Sequence, residues 1–228
     1  MNILSELEDF INEFNQNNDE DFAIDTIRIE FQKQHKLNSI NSLGNWHKIH
    51  AQDKKIMAKL KKRLTDDEVT TAYQLEKHNI YYYNSSTPPK YNKATLVIFG
   101  MKQYHKQPPP YEIINRLLNI LSFGTSKIDM NIDICSDTKH RPNIEALKRF
   151  FDLKRYITKD GIFTDTHYIN RPDIPMIEKI IIYNKQVKNN LAFIVWRIEA
   201  KVIIPNFRLL ALPLHELKEV TDIAKGHL

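Results

Sequence analysis

Several short runs alternate apolar and polar residues, and they are separated by clean helical patterns. This predicts an α+β fold with a mostly antiparallel central sheet and helices on one face. Two stretches carry the prediction. In Lys127–Asp137, KIDMNIDICSD, the residues Ile128, Met130, Ile132 and Ile134 point one way and Asp129, Asn131, Asp133, Cys135 and Asp137 the other. In Ile180–Ile204, Tyr183 and Lys185 share a face. After a turn at Lys188-Asn189-Asn190, Arg197, Glu199 and Lys201 share one face and Trp196, Ile198, Ala200 and Val202 the other. Carboxylates on one face of a half-buried strand are costly unless that face is wet or holds a cation. A sheet with an apolar back and a front of acids, bases and a tyrosine points to phosphate chemistry with a metal.

Taken in order, residues 3–14 predict a short amphipathic helix, with Ile3, Leu7, Phe10, Ile11 and Phe14 at helical spacing. Phe22–Gln32 predicts the first strand, with Asp25, Ile27, Ile29 and Phe31 on one face. Its Arg28-Ile29-Glu30 recurs as Arg197-Ile198-Glu199, the pattern of two strands lying side by side with paired charges, or of chance. Asn38–Asn45 reads as a loop, Trp46–Arg63 as a helix with Ile49, Ile56, Leu60 and Leu64 as its buried stripe, and Thr65–Glu68 as a helix start or turn. Asn79–Asn84 and Lys93–Tyr104 predict a hairpin across the Ser85–Lys90 loop, and Gly100 a bulge or a close backbone approach. The tyrosine row Tyr81-Tyr82-Tyr83 suits packing, or stacking on unpaired bases. Tyr111–Leu121 is a clean helix, so strand 93–104, helix and strand 127–137 read as a βαβ unit. Asn143–Phe151 predicts a helix with Pro142 at its start. Gly161 marks a turn, Ile162–Asn170 a strand, 171–178 an irregular segment with two prolines, and 179–204 a closing hairpin. A last helix begins near Pro213. The expected organisation is an acidic arm over 1–21, one domain over 22–204 with a helical insertion near 46–75, and a helical tail over 205–228.

The chain has 228 residues and 42% hydrophobic content, enough for a core. One cysteine excludes an internal disulfide and a cysteine zinc cluster. No apolar run nears the ~20 residues of a membrane span, and the acidic start MNILSELEDF lacks the basic region of a signal peptide. The cytoplasm is the expected location. The net charge of +5 is unevenly spread: residues 1–25 hold eight acids and no Lys or Arg, and the other 203 residues carry 33 basic and 20 acidic side chains. A basic body suits a polyanion partner. The richest backbone-phosphate surface is Lys48, Lys54, Lys55, Lys59, Lys61, Lys62 and Arg63, against the plain alternative of a solvated helix face. His47 and His50 lie three apart with no third ligand nearby and read as surface histidines. Cys135 reads as a small packing residue.

The elements VIFGMKQYH, a helix, NIDICSD, GIFTDTHYIN, IIIYNK and WRIEAKV follow one another in this order. In that order they resemble the replication initiation factor family, the rolling-circle Rep proteins of small bacterial plasmids with relatives in phages and mobile elements. Asp133 and Asp137 match the family's strand with two aspartates four apart. Tyr168-Ile169-Asn170-Arg171 compares with its tyrosine element, Tyr183-Asn184-Lys185 with its Tyr-x-Lys strand end, and Arg197-Ile198-Glu199 with its Arg-x-Glu strand. Asn131 stands where the family often has arginine, and Asn170 where it has glycine. The resemblance spans roughly residues 22–204.

The resemblance implies a Rep nickase-like fold and an enzyme that nicks one DNA strand, leaving a 5′-phosphotyrosine and a free 3′-hydroxyl. It implies a magnesium or manganese ion as cofactor, held by Asp133 and Glu199, with Asp137 as a third ligand or an orienting group. A four-residue gap on a regular strand is ~13 Å, so one ion reaches both aspartates only if the strand bends or ends between them. Tyr168 is the expected nucleophile and Tyr183 the reserve. Lys185 would neutralise the phosphate or lower the tyrosine pKa, and Arg197 would pair with Glu199 or the scissile phosphate. The implied partner is DNA at a single-stranded or cruciform origin, with host replication proteins and a second copy of the chain as further partners and no membrane. Two other readings fit the same residues: a non-catalytic DNA-binding accessory of the same fold, and a metal-dependent nuclease without a covalent tyrosine.

Overall fold

The computed structural model describes residues 2–50, 52–64, 69–85, 93–104, 107–122, 130–170, 176–204 and 211–226. The expected turn at Thr65–Glu68, residues 86–90 of the loop after Ser85, the side chains of Ile128 and Asp129, and most of the proline segment lie outside them. The class is α+β. The chain forms two compact units, one from Met1–Ser5, Thr26–Met101 and Pro108–Met130, the other from Glu6–Asp25, Lys102–Gln107 and Asn131–Leu228.

The first unit holds the greater part of β1 (Ala23–Gln32), then α2 (Lys33–Asn41), β2 (Trp46–Ile49), α3 (Lys54–Leu64), β3 (Val69–Leu75), β4 (Ile80–Ser85), β5 (Lys93–Phe99) and α4 (Tyr111–Ser122). Its strands run in the order β2-β3-β4-β5-β1, and each neighbouring pair is antiparallel. Met57 and Leu60 of α3 join Ile49, Ala72, Tyr83, Val97 and Phe99 in one apolar cluster. Trp46, three residues from Ile49 and so on the opposite face, donates its indole N–H to the Ile40 carbonyl of α2 (3.1 Å). The tyrosine row is packing: Tyr82 and Tyr83 are buried. Tyr82 stacks on Tyr73 at 4.7 Å. Its hydroxyl pKa is pushed up to about 12 by burial and then by Tyr73.

Several expectations fail here: α2 runs to Asn41, so Asn38–Asn45 is not all loop. Trp46–Ile49 is not helical but an edge strand, with Trp46 opposite Leu75 and Ile49 opposite Ala72. Pairing with a neighbouring strand outweighs the helical spacing of four residues. The helix starts only at Lys54; Met57 and Leu60 are buried, Ile56 is exposed, and the side chain of Leu64 lies outside the described part. The insertion near 46–75 is therefore strand, helix and strand. The strand, helix and strand expected over 93–137 form as β5, α4 and β6 (Met130–Thr138); β4 and β1 flank β5, and β6 takes β10 (Trp196–Ile204) as its neighbour within its own unit. The recurring Arg-Ile-Glu tripeptides do not pair: Arg28 lies opposite Val97 and Arg197 opposite Tyr183.

The second unit contains most of α1 (Ile3–Asn18), most of β6, α5 (Ile144–Phe150), β7 (Leu153–Ile157), β8 (Phe163–Ile169), β9 (Ile177–Asn184), the short α6 (Lys185–Asn189), β10 and α7 (Ala211–Lys225). Its strand order is β6-β10-β9-β8-β7, and β7, β8, β9 and β10 pair antiparallel in succession. Strand β7 does not stand out in the sequence because its residues, LKRYI, do not alternate, and all but Leu153 are exposed. Asn143 caps α5, its side-chain oxygen accepting from the Ala146 N–H (3.0 Å). Leu214, Leu217, Val220 and Ile223 of α7 are buried. Buried Glu20 accepts from Lys225 (2.9 Å) and lies 3.8 Å from Lys218, fixing the last helix to the segment after α1. Among the described residues no helix is long and apolar enough to cross a membrane.

The α4 anchor is the fold's simplest test. Leu117 is wholly buried, so Leu117→Ala is expected to cost about 2–5 kcal/mol, seen as a lower urea midpoint at unchanged slope. A loss under about 1 kcal/mol would mean that α4 does not anchor its unit as described.

Candidate active site

Strand register builds the site. In antiparallel pairs, residues directly opposite share a face, and so do alternate residues along one strand. Arg197 lies opposite Tyr183, Glu199 opposite Ile181, and Lys201 opposite Lys179. Ile181 in turn lies opposite Tyr168 of β8. One face of the second unit's sheet therefore presents Tyr183, Arg197, Glu199, Tyr168, Lys179 and Lys201. Tyr168 and Glu199 stand in the same row, two strand spacings or about 10 Å apart at the backbone.

At one end of this face is a desolvated ion cluster. Arg197 is 1% exposed. Its Nε and Nη2 donate to the two oxygens of Asp137 (2.6 and 2.7 Å), and its Nη1 lies 3.0 Å from Asp25. The Lys102 carbonyl accepts from Arg197 Nη2 and from Lys185 Nζ, each at 3.0 Å. The Lys185 ammonium sits 3.9 Å from Asp137, and the Tyr104 hydroxyl donates to the same carboxylate (2.8 Å). Burial alone would raise the Asp137 carboxyl, but the paired guanidinium, Lys185 and Tyr104 outweigh it and hold the pKa below the ordinary value. Burial, and then the neighbouring Arg197, lowers the Lys185 ammonium against the pull of Asp137. Burial raises the Tyr104 hydroxyl, and its bond to Asp137 raises it further.

One row along, the electrostatics reverse. Glu199 and Asp133 are both buried. Burial and then the repulsion of Asp133 and Asp25 raise the Glu199 carboxyl to about 7. Tyr183 donates its hydroxyl to Glu199 Oε2 (3.1 Å), and its own pKa stands well above the ordinary value through burial and that carboxylate. Lys188 lies over the Tyr183 ring at 4.0 Å. Among the described residues, no three His, Cys, Asp or Glu side chains form a ready metal cage. Two carboxylates that repel one another in a buried place fit a hard divalent cation that keeps water and substrate oxygens as its other ligands.

The structure thus brings together Asp133, Glu199, Tyr183, Lys185, Arg197 and Asp137, and places Tyr168 on the same face. Asp137 and Arg197 are engaged with each other rather than with the Glu199 row. Tyr168 is half-buried, its ring edge-on to Tyr156 at 6.1 Å and under Lys179 at 5.8 Å. Burial, then Tyr156, raises its hydroxyl pKa. Of the basic set, Lys48 and Lys54 are exposed and Lys61 is half-buried, all in the first unit. The side chains of Lys55, Lys59, Lys62 and Arg63 lie outside the described part. Buried Cys135, its thiol pushed up by burial, packs against the Ala23 carbonyl. Asp25, Lys102, Tyr104 and Lys179 are not among the residues the sequence singles out. Asp25 carried a signal, being the one acid on the otherwise apolar Ile27, Ile29, Phe31 face; Tyr104 and Lys102 carried none beyond the glycine before them. Gly100, at φ +71°, ends β5 there.

No protein-family model matches the chain, and no curated protein matches it. Among solved structures it is similar to that of a rolling circle replication initiator protein from Geobacillus stearothermophilus. The two are 12% identical over 90% of this chain and 79% of that one, with a TM-score of 0.48.

The two carboxylate environments predict opposite pH behaviour. Glu199 binds a proton more tightly folded than unfolded, so its contribution to stability is full below about 4.5, declines as pH rises to about 7, and stays reduced above. Asp137, held low, stabilises above its unfolded value and loses that contribution only as pH falls through its lowered folded value. In Glu199→Gln the decline toward neutral pH is expected to vanish while the acid limb remains. Parallel melting-temperature curves for the two proteins from acid to neutral pH would refute this account of Glu199.

Proposed function

We propose that the chain is a DNA nicking-closing enzyme that starts replication of the rolling-circle type, with Tyr168 as nucleophile and a divalent cation at Asp133 and Glu199. The observation that carries this reading is the row Tyr168–Ile181–Glu199, which sets a half-exposed phenol on the same sheet face as a buried, mutually repelling carboxylate pair. The order of motifs over residues 22–204 agrees with it. A pure binding module has no use for such a pair beside a polyanion, since it repels phosphate unless a cation is held there.

When bound, magnesium or manganese would offset the charge that builds on the scissile phosphate. The chain's own residues do the rest. The Tyr168 oxygen attacks phosphorus, the bond from phosphorus to the 3′-oxygen breaks, and a 5′-phosphotyrosine remains. The phenol proton passes to water and the departing 3′-oxygen takes one up. Lys179 and Lys201 stand directly opposite each other on this face and offer positive charge to the phosphate, Lys179 also lying 3.9 Å from Glu178. Lys179 over the Tyr168 ring sets a positive charge beside a phenol whose pKa burial raises. Tyr183 is a positioning residue: its bond to Oε2 fixes the Glu199 carboxylate. Asp137 orients Arg197 and Lys185, and DNA is the partner.

Labelled single-stranded DNA from the element that encodes the protein, incubated with Mn²⁺ and run on a denaturing gel, tests the proposal. A covalent protein–DNA band is expected, absent in Tyr168→Phe and absent with a chelator. Tyr183→Phe should keep the band while losing activity by on the order of 10–100-fold, as for a residue that orients a metal ligand. A band that survives Tyr168→Phe but not Tyr183→Phe would transfer the nucleophile to Tyr183. Metal-dependent cleavage with no covalent band would overturn the tyrosine mechanism in favour of a plain nuclease, and salt-sensitive binding without cleavage would leave a binding module.

A further inference from the structure

We infer that Phe193 and Tyr104 form a ledge on which an unpaired base of single-stranded DNA stacks beside the ion cluster. This deepens the reading of the chain as a DNA-processing protein and rests on it. Tyr104 and Phe193 are 44% and 49% exposed and meet edge to face at 5.5 Å. Two more exposed apolar side chains, Val187 and Ile194, lie in the same connection between β9 and β10. Apolar groups gathered at the surface mark a place where something is bound. The charge around them says what. From Ile180 to Ile198 the chain carries Lys185, Lys188 and Arg197 and no acid. The Lys185 ammonium lies 4.9 Å from the centre of the Tyr104 ring, and the Tyr104 hydroxyl donates to Asp137. The ledge is therefore built into the wall of the site and cannot drift from it.

Exposed aromatic rings beside a connection that carries bases and no acid of its own, with Asp137 behind Tyr104 neutralised by Arg197, fit a ligand with a π-face and a phosphate. Duplex DNA hides its base faces in the stack, so the occupant is an unpaired nucleotide. A stacked base would hold the strand at a fixed distance from the Tyr168–Glu199 row, which is what attack on one chosen phosphate requires.

The test uses the full chain in chelator, so that binding is read without cleavage. A fluorescein-labelled oligothymidylate and a duplex of equal length are titrated by anisotropy, and an oligothymidylate with a single 2-aminopurine reports stacking by its quenching. Phe193→Ala is expected to weaken single-strand binding roughly 5- to 50-fold and to abolish the quenching, with duplex binding changed by less than about twofold. Phe193→Trp should restore both. Equal loss on single strand and duplex, unchanged quenching in Phe193→Ala, or no single-strand binding by the unmodified protein would each overturn the inference. Nicking is scored separately. Activity that needs Glu199 while Phe193→Ala binds normally would remove the ledge and keep the enzyme. Phe193-dependent quenching in a protein that never nicks would do the reverse.

Discussion

The second unit depends on one buried guanidinium. Arg197 is taken out of water almost completely, a transfer costing several kcal/mol unless every donor is met. Asp137 meets it with both oxygens, Asp25 with one, and the Lys102 carbonyl closes the remaining direction. These partners come from the start of β1, the segment after β5 and the end of β6, so a single side chain on β10 ties together parts of the chain more than 170 positions apart in sequence (Asp25 to Arg197). Removing any carboxylate would leave a charge with no solvent to turn to, the costliest kind of defect in a protein interior.

That arrangement divides the acids into two kinds. Asp137 is neutralised so fully that its proton affinity drops despite burial, whereas Glu199, two residues from Arg197 along the same strand, faces Asp133 and keeps a proton to near neutrality. Environments that push like groups apart are how one surface assigns different tasks to the same chemistry. Here Asp137 is scaffold, tied to Arg197, while Asp133 and Glu199 are acids whose charges repel each other. Tyr183 bridges them in space: it stands opposite Arg197 and donates to Glu199.

The acids and bases of the site were legible because they break a pattern. Asp133 and Asp137 in β6, and Arg197 and Glu199 in β10, are charges set among apolar residues, in strands buried on both faces over most of their length. The pairing partners were not legible. Nothing in the residues states that Ile181 faces both Glu199 and Tyr168, since register is set by the whole sheet and a shift of one would turn every side chain over. The failures have similar causes. Trp46–Ile49 has helical spacing but too few residues for spacing to decide against an available strand edge. Strand β7, LKRYI, is short and has no period to read. Asp25 sat in plain view among isoleucines, and what it lacked was a visible partner.

The order in which the chain is synthesised bears on the second unit. Its residues come from 6–25, 102–107 and 131 onward, and buried Glu20 is held by Lys218 and Lys225 on the last helix. The first unit draws almost entirely on residues 26–130, so its strands can pair while the ribosome is still making the rest. Helix α1 is made long before α7, so its apolar stripe of Leu7, Ile11 and Phe14 stays without that neighbour until α7 has been made. Closing a loop of that length is slow and leaves sticky surface exposed meanwhile.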